Sequence, residues 1–157
     1  MKKVIFICMG NICRSPAAEG VMQKIVDERG LSKDFFLDSA GTIGYHEGER
    51  ADARMRKAAK GRGYELTSIS RPLKAKDYEQ FDLLIVMDDD NYETVISRSP
   101  NKELNHKVKY MCEFCTKHKD KIVPDPYFGG EQGFEYVLDL LEDSCEGLLN
   151  KIIEDNI

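Results

Sequence analysis

The sequence predicts an α/β fold, an open four-stranded parallel sheet with helices on both faces. Two observations predict it. Four short apolar runs, each bounded by turn or capping residues, have the length of strands buried on both faces, and each is followed by a more helical stretch. Strand and helix that alternate in this way pack as a parallel sheet covered on both sides. With 157 residues, the chain is long enough for one domain, taken as 1–157, with a proper core.

Val4–Cys8 is the first run. Ser15-Pro16 then opens a helix, as N-cap and first helical residue, and Val21, Met22, Ile25 and Val26 fall on one of its faces. Phe35–Ser39 is the second run, and Met55, Ala58 and Ala59 mark a second helix ending near Gly61 or Gly63. The third run, Leu83–Met87, leads into a helix over Asp89–Ser97. Val108–Met111 is the fourth. Lys117–Pro126 is polar and proline-bearing, so a surface loop is expected there. The longest helix is predicted over Glu131–Glu154, where Phe134, Val137, Leu138, Leu141, Cys145, Leu148, Leu149 and Ile152 recur at helical spacing.

Composition narrows the function. Apolar residues at 41% and charged residues at 32% argue against wholesale disorder. A net charge of −5 argues against nucleic acid as the main partner, yet leaves room for a small basic pocket. Lys2-Lys3 before VIFICMG faintly suggests a secretion signal. The apolar run is only about the minimum length for one, and Asn11 and Arg14 interrupt the stretch after it, so a buried strand explains it better. No segment approaches the roughly 20 apolar residues of a membrane span, and no membrane association is expected. Five cysteines are an odd number and suggest free thiols in a reducing, cytoplasmic setting.

In open parallel sheets ligands bind beyond the carboxyl ends of the strands, and the first strand ends at Cys8. The segment Cys8-Met9-Gly10-Asn11-Ile12-Cys13-Arg14-Ser15-Pro16 joins that strand to the first helix. Cys-x5-Arg spacing alone is weak evidence. Its context strengthens it, because a strand-to-helix loop can aim successive backbone N–H groups inward as an anion nest backed by the helix dipole. Gly10 permits a tight backbone path, and Asn11 can adopt a left-handed conformation or brace the loop with its amide. The same field would keep the Cys8 thiol ionised near neutral pH. Arg14 offers a planar fork for two phosphate oxygens. Met9, Gly10, Asn11, Ile12, Cys13, Arg14 and Ser15 are therefore the candidate phosphate-binding residues.

The run CMGNICRSP resembles the signature of low-molecular-weight protein tyrosine phosphatases. The resemblance extends through Ser39-Ala40-Gly41-Thr42, Val86-Met87-Asp88 and Asp125-Pro126-Tyr127, over nearly the whole chain. It implies strand order 2-1-3-4, a Cys8 nucleophile, an Arg14 transition-state clamp and a Ser15 hydroxyl that donates to the thiolate. It also implies a reversible Cys8–Cys13 disulfide, against which Cys13 as a small packed side chain is an equal alternative. The implied substrate is a phosphotyrosine protein, a tyrosine kinase being the expected one. The protein would be a monomer or self-associate weakly through an aromatic rim.

Expelling a phenolate benefits from a proton donor. Asp125 is the candidate, since Pro126 stiffens its loop and restricts it to extended conformations. Tyr127 and Phe128 could wall the substrate ring. Asp88, Asp89 and Asp90 are rivals on the same sheet edge. Their plainer role is to cap and charge the next helix, with Asp88 also able to brace the phosphate loop. No metal or cofactor is expected, because Arg14 and the loop N–H groups would neutralise the phosphoryl charge.

Resemblance also bears on specificity. Relatives acting on phosphoarginine commonly carry threonine where Ile12 stands, and an aliphatic residue is typical of tyrosine-directed members. Tyr45 occupies the place of a rim aromatic, with His46 beside it. Ser68 stands where many members have a loop-supporting histidine, and Ala53 replaces a proline in Asp52-Ala53-Arg54. Two rival classes are arsenate reductase and a binding module without catalysis. The first needs relay thiols that Glu79–Asn105 lacks. Cys112-x-x-Cys115, with His118, could suit redox or metal chemistry, although packing is the plainer reading. The second would need neither Cys8 nor Asp125.

Overall fold

The computed structural model describes all of residues 1–157. Strand β1 (Lys2–Cys8) lies at the centre of the sheet. It pairs in parallel with β2 (Phe35–Gly41) on one side and β3 (Leu83–Val86) on the other. Strand β4 (Val108–Tyr110) pairs with β3, so the order is β2-β1-β3-β4, as expected. Five helices complete the chain: α1 (Arg14–Glu28), α2 (Ala53–Gly61), α3 (Ala75–Gln80), α4 (Asp89–Ser97) and α5 (Glu131–Asp155).

Strand alternation divides the core into two layers. Val4, Phe6 and Cys8 of β1 point to the face covered by α1, α2 and α5, where Val21, Met22, Met55, Leu138 and Leu141 are fully buried. Ile5 and Ile7 point to the opposite face, against Tyr78 of α3 and Val95 of α4. Each such fully buried aliphatic side chain contributes about 1.5–3 kcal/mol relative to exposure. Burial on both faces explains why these runs read as continuous apolar segments rather than alternating ones. On the larger face α5 approaches the Met111–Phe114 turn so closely that a Cβ at Gly147 would overlap the Phe114 carbonyl.

Strand boundaries differ from expectation by one or two residues, the usual uncertainty at element ends. The start of α1 differs for a physical reason. It begins at Arg14 with Cys13 in the capping position, not at Ser15-Pro16. Ser15 directs its hydroxyl at Cys8 instead of capping its own helix. Pro16 then lies in the first turn, where N–H groups lack intrahelical acceptors in any case. Helix α3 was not visible in the sequence. Its six residues are too few for a periodic pattern, and it is organised by buried Asp77, which accepts from the Lys74 backbone and from Arg71. The stretch 117–126 contains no helix or strand, as expected. No helix is long and apolar enough to cross a membrane.

Candidate active site

The loop from Met9 to Cys13 leaves the central strand and enters α1 within five residues. Its carbonyls are tied outward. The oxygens of Cys8 and Met9 accept from the N–H groups of Thr42 and Ile43, at 2.9 and 3.0 Å. The Gly10 oxygen accepts from the Ser70 hydroxyl at 3.1 Å, and that of Ile12 from the Asp52 N–H at 2.8 Å. The five N–H groups of Met9–Cys13 have no acceptor in the protein. Unpaired donors held in one short loop are available to an anion.

Asn11 fills both of the roles open to it. It takes the left-handed conformation, with φ of 56°. Its amide also braces the loop, donating to Ser15 Oγ at 2.7 Å and accepting from the Arg71 N–H at 3.0 Å. Gly10 matters through space, since a Cβ there would lie 3.2 Å from the His46 ring. The support that a histidine would provide from position 68 comes instead from Ser70 and the Arg71 backbone, two and three residues further on. Gly41, at the end of β2, is the second close approach. A Cβ there would sit 2.8 Å from the Met9 carbonyl.

Cys8 Sγ and Ser15 Oγ are 3.0 Å apart. Because Ser15 Oγ also accepts from Asn11, its own hydrogen is free to point at sulfur. Arg14 is almost completely buried. Burial alone would disfavour its charge, but the adjacent Cys8 and Asp88 more than offset that and hold it more firmly cationic than usual. Its Nη1 donates to Asp88 Oδ2 at 2.6 Å and to the Val123 carbonyl at 3.0 Å. Cys13 is also buried, and burial, with Asp52 and Cys8 nearby, pushes its thiol well above the ordinary range. All five cysteines are free thiols.

The two acid candidates are distinguished by their commitments. Asp88 uses Oδ2 on Arg14 and Oδ1 to cap α4 through the Asn91 N–H, at 2.8 Å. Asp125 accepts only the Tyr127 N–H on Oδ1, at 3.0 Å, and its Oδ2 lies 3.7 Å from Arg14 Nη2. It remains partly exposed toward the cavity. Asp89 accepts from the Tyr110 hydroxyl, and Asp90 stays exposed in the first turn of α4.

A cavity of about 310 Å³ unites these groups. Cys8 and residues of the loop line it together with Asp125, Tyr127, Ile12, Tyr45 and Phe128. Phe128 is 92% exposed and Tyr45 81%, so they form a rim rather than a closed wall. Ile43 and His46 line the cavity too. Ile43 was not a sequence candidate, and only its place directly after the SAGT run hinted at it. A larger cleft of about 570 Å³ lies beyond Arg54 between α2 and α5, but it contains neither Cys8 nor the nest.

Cys112 is buried in the turn after β4, and His118 Nδ1 pairs with Asp143 at 3.0 Å. No three or more His, Cys, Asp or Glu side chains are arranged to hold a metal ion. Ala53 is the first residue of α2, the position that favours proline, and Asp52 caps the helix through the Arg54 N–H.

Comparison with known proteins agrees with this geometry. Residues 3–156 match the family described as low molecular weight phosphotyrosine protein phosphatase. A Synechocystis relative that bears the family's name is 46% identical over 150 residues, covering 96% of each chain. The human low molecular weight phosphotyrosine protein phosphatase is 33% identical over 151 residues, covering 96% of this chain and 95% of its own. A crystal structure of a protein tyrosine phosphatase from Entamoeba histolytica, with Hepes in its active site, superposes with a TM-score of 0.97 at 49% identity over the full length of both chains. A match that runs from β1 to the end of α5 leaves one assignment: the chain belongs to the low molecular weight phosphotyrosine protein phosphatase family.

Proposed function

We propose that this chain dephosphorylates phosphotyrosine in proteins, with Cys8 as nucleophile, Arg14 as clamp and Asp125 as general acid. The observation that carries the assignment is the set of five unpaired N–H groups of Met9–Cys13 directly following Cys8, in the cavity that Cys8 lines. Family membership supports the reaction class, and the residue roles rest on the local chemistry.

In the first step the Cys8 sulfur attacks phosphorus in line with the departing tyrosyl oxygen. The S–P bond forms as the P–O bond breaks, and Asp125 delivers its proton to the phenolate. Ser15 steadies the sulfur as an anion through its hydroxyl. The Met9–Cys13 N–H groups and Arg14 meet charge on the equatorial phosphoryl oxygens. Asp88 holds Arg14 in register for this, which is why it is an unsuitable donor itself. In the second step Asp125, now ionised, takes a proton from water as water attacks the phosphocysteine. Inorganic phosphate leaves and the thiolate is restored.

The shape of the cavity favours a flat ring. Ile12 presents an aliphatic surface with no polar group for a guanidinium, and Tyr127 and Phe128 offer aromatic faces. The reading extends to a tyrosine kinase as substrate, to action in the cytoplasm, and to residues 1–157 as one catalytic unit. An unprotected Cys8 favours a reducing compartment.

The test is hydrolysis of p-nitrophenyl phosphate and of a phosphotyrosine peptide from pH 4 to 9. Cys8→Ser should abolish both activities. Asp125→Asn should lower the peptide reaction by on the order of a hundredfold or more, and should penalise poor leaving groups far more than Asp88→Asn does. A folded wild-type protein without activity would refute the proposal, and the reverse ranking of the two aspartates would refute the acid assignment.

A further inference from the structure

We propose that Arg54 is a positioning residue for the loop that carries Asp125, an inference that rests on Asp125 being the general acid. The backbone of that loop has little to hold it. Between Pro124 and Gly129 no backbone N–H or carbonyl bonds to any residue outside the stretch. Its placement therefore depends on side chains.

Pro126 is buried against the start of α5, and Arg54 is the side chain placed to hold the aromatic residue that follows it. Its guanidinium lies 5.3 Å from the Tyr127 ring centre on one side and 4.7 Å from that of Phe134 on the other. Both distances are within cation–π range. Phe134 is buried in the first turns of α5, so it is a fixed support. The guanidinium is oriented by Asp52, which accepts from Nε at 3.1 Å and from Nη2 at 3.0 Å. A bidentate pair fixes the plane of the fork, and so the face offered to Tyr127.

Both ends of this arrangement reach the chemistry. At one end the Asp52 N–H donates to the Ile12 carbonyl of the phosphate loop. At the other, the Tyr127 N–H donates to Asp125 Oδ1. Arg54 thus ties the acid to the nucleophile's loop without lining the catalytic cavity. Through Tyr127 it also stands between the catalytic cavity and the larger cleft.

The experiment compares kcat/KM for aryl phosphates of graded leaving-group pKa in wild type, Arg54→Met, Arg54→Lys and Asp125→Asn, and in the double variant Arg54→Met/Asp125→Asn. Thermal midpoints are recorded for each. Arg54→Met should slow substrates with leaving groups near pKa 10 by on the order of tenfold while leaving activated substrates within about twofold, because only the former need the proton. The loss should vanish in the Asp125→Asn background. Arg54→Lys, which keeps a cation over the rings and serves if the methionine variant does not fold, should show the same pattern at smaller amplitude. A uniform loss across leaving groups, an unchanged slope in both variants, or an equal loss in both backgrounds would overturn the inference. If Asp125→Asn itself leaves the slope unchanged, the acid assignment fails, an outcome distinct from failure of Arg54 alone.

Discussion

The phosphate loop and the acid loop meet in one cavity but are held by different means. From Cys8 to Ile12 the phosphate loop is tied by four of its carbonyls to Thr42, Ile43, Ser70 and Asp52, and buried Asn11 and Ser15 lock it from beneath. The acid loop has no backbone bond outward between Pro124 and Gly129; it meets the rest of the protein through buried Pro126 at the start of α5, through Arg54 over Tyr127 and through the Arg14–Asp125 approach. A nest for an anion must have its donors in place before the ligand arrives, since reorganising them would consume the binding energy. A proton donor must follow a leaving group of variable shape, and a side-chain tether permits that.

Both loops converge at Arg14, where a substitution has the largest expected effect. Arg14→Lys keeps the charge but loses the fork: a single Nζ cannot replace Nη1 on Asp88 and Val123 and also meet two phosphoryl oxygens. Turnover should fall by about 10² to 10³, measured as kcat on p-nitrophenyl phosphate. A smaller loss than from Asp125→Asn would show that the acid loop matters more.

Glu19 of α1 is half-buried beside Ser39, with its Oε1 atom and Ser39 Oγ shielded from solvent. Burial pushes the Glu19 carboxyl up to about 7 from 4.5, with Ser39 and Arg71 opposing the effect. The folded protein therefore binds this proton more tightly than the unfolded chain. The contribution is fully present below about pH 4.5 and is lost as pH rises through about 7. A difference of that size corresponds to at most about 3 kcal/mol. Denaturant midpoints of wild type relative to Glu19→Gln should fall over that window and level off above it, and a pH-independent difference would contradict the assignment.

Gly41→Ala acts on the phosphate loop. The added methyl group meets backbone, the Met9 and Ile43 carbonyls, rather than a flexible side chain. It should destabilise the protein by about 1–3 kcal/mol and weaken inhibition by inorganic phosphate. The smallest effect is expected at Phe128 of the acid loop. Phe128→Ala should leave stability within about 0.5 kcal/mol but raise KM for a phosphotyrosine peptide several-fold. A marked fall in thermal midpoint would mean that the rim is part of the packing.

The two loops also differ in how legible they are in the sequence. The phosphate loop is contiguous from Cys8 to Ser15, so strand end, nest, nucleophile and helix start appear together in one short segment. Its supports do not. Ser70 lies 60 residues from Gly10, Asp88 lies 74 from Arg14, and Val123 lies 109 from it. Asp125 stands out through the proline after it, whereas nothing in Asp52-Ala53-Arg54 indicates that Arg54 stacks on Tyr127. Residue type alone leaves open whether Asn11 turns the backbone or braces the loop. It does both, and its partners Ser15 and Arg71 are visible only in three dimensions.

Apolar periodicity and a short strand-to-helix motif are local properties, so the α/β class, the strand count and the candidate phosphate loop with its candidate nucleophile Cys8 were legible in the sequence. Only the tertiary structure shows that Asp88 is spent on Arg14 and the α4 cap while Asp125 is not, where the loop after Cys8 finds its support, and that Arg54 lies over Tyr127. Those are contacts between segments distant in the chain. They exist only once the parallel sheet has brought its carboxyl ends together.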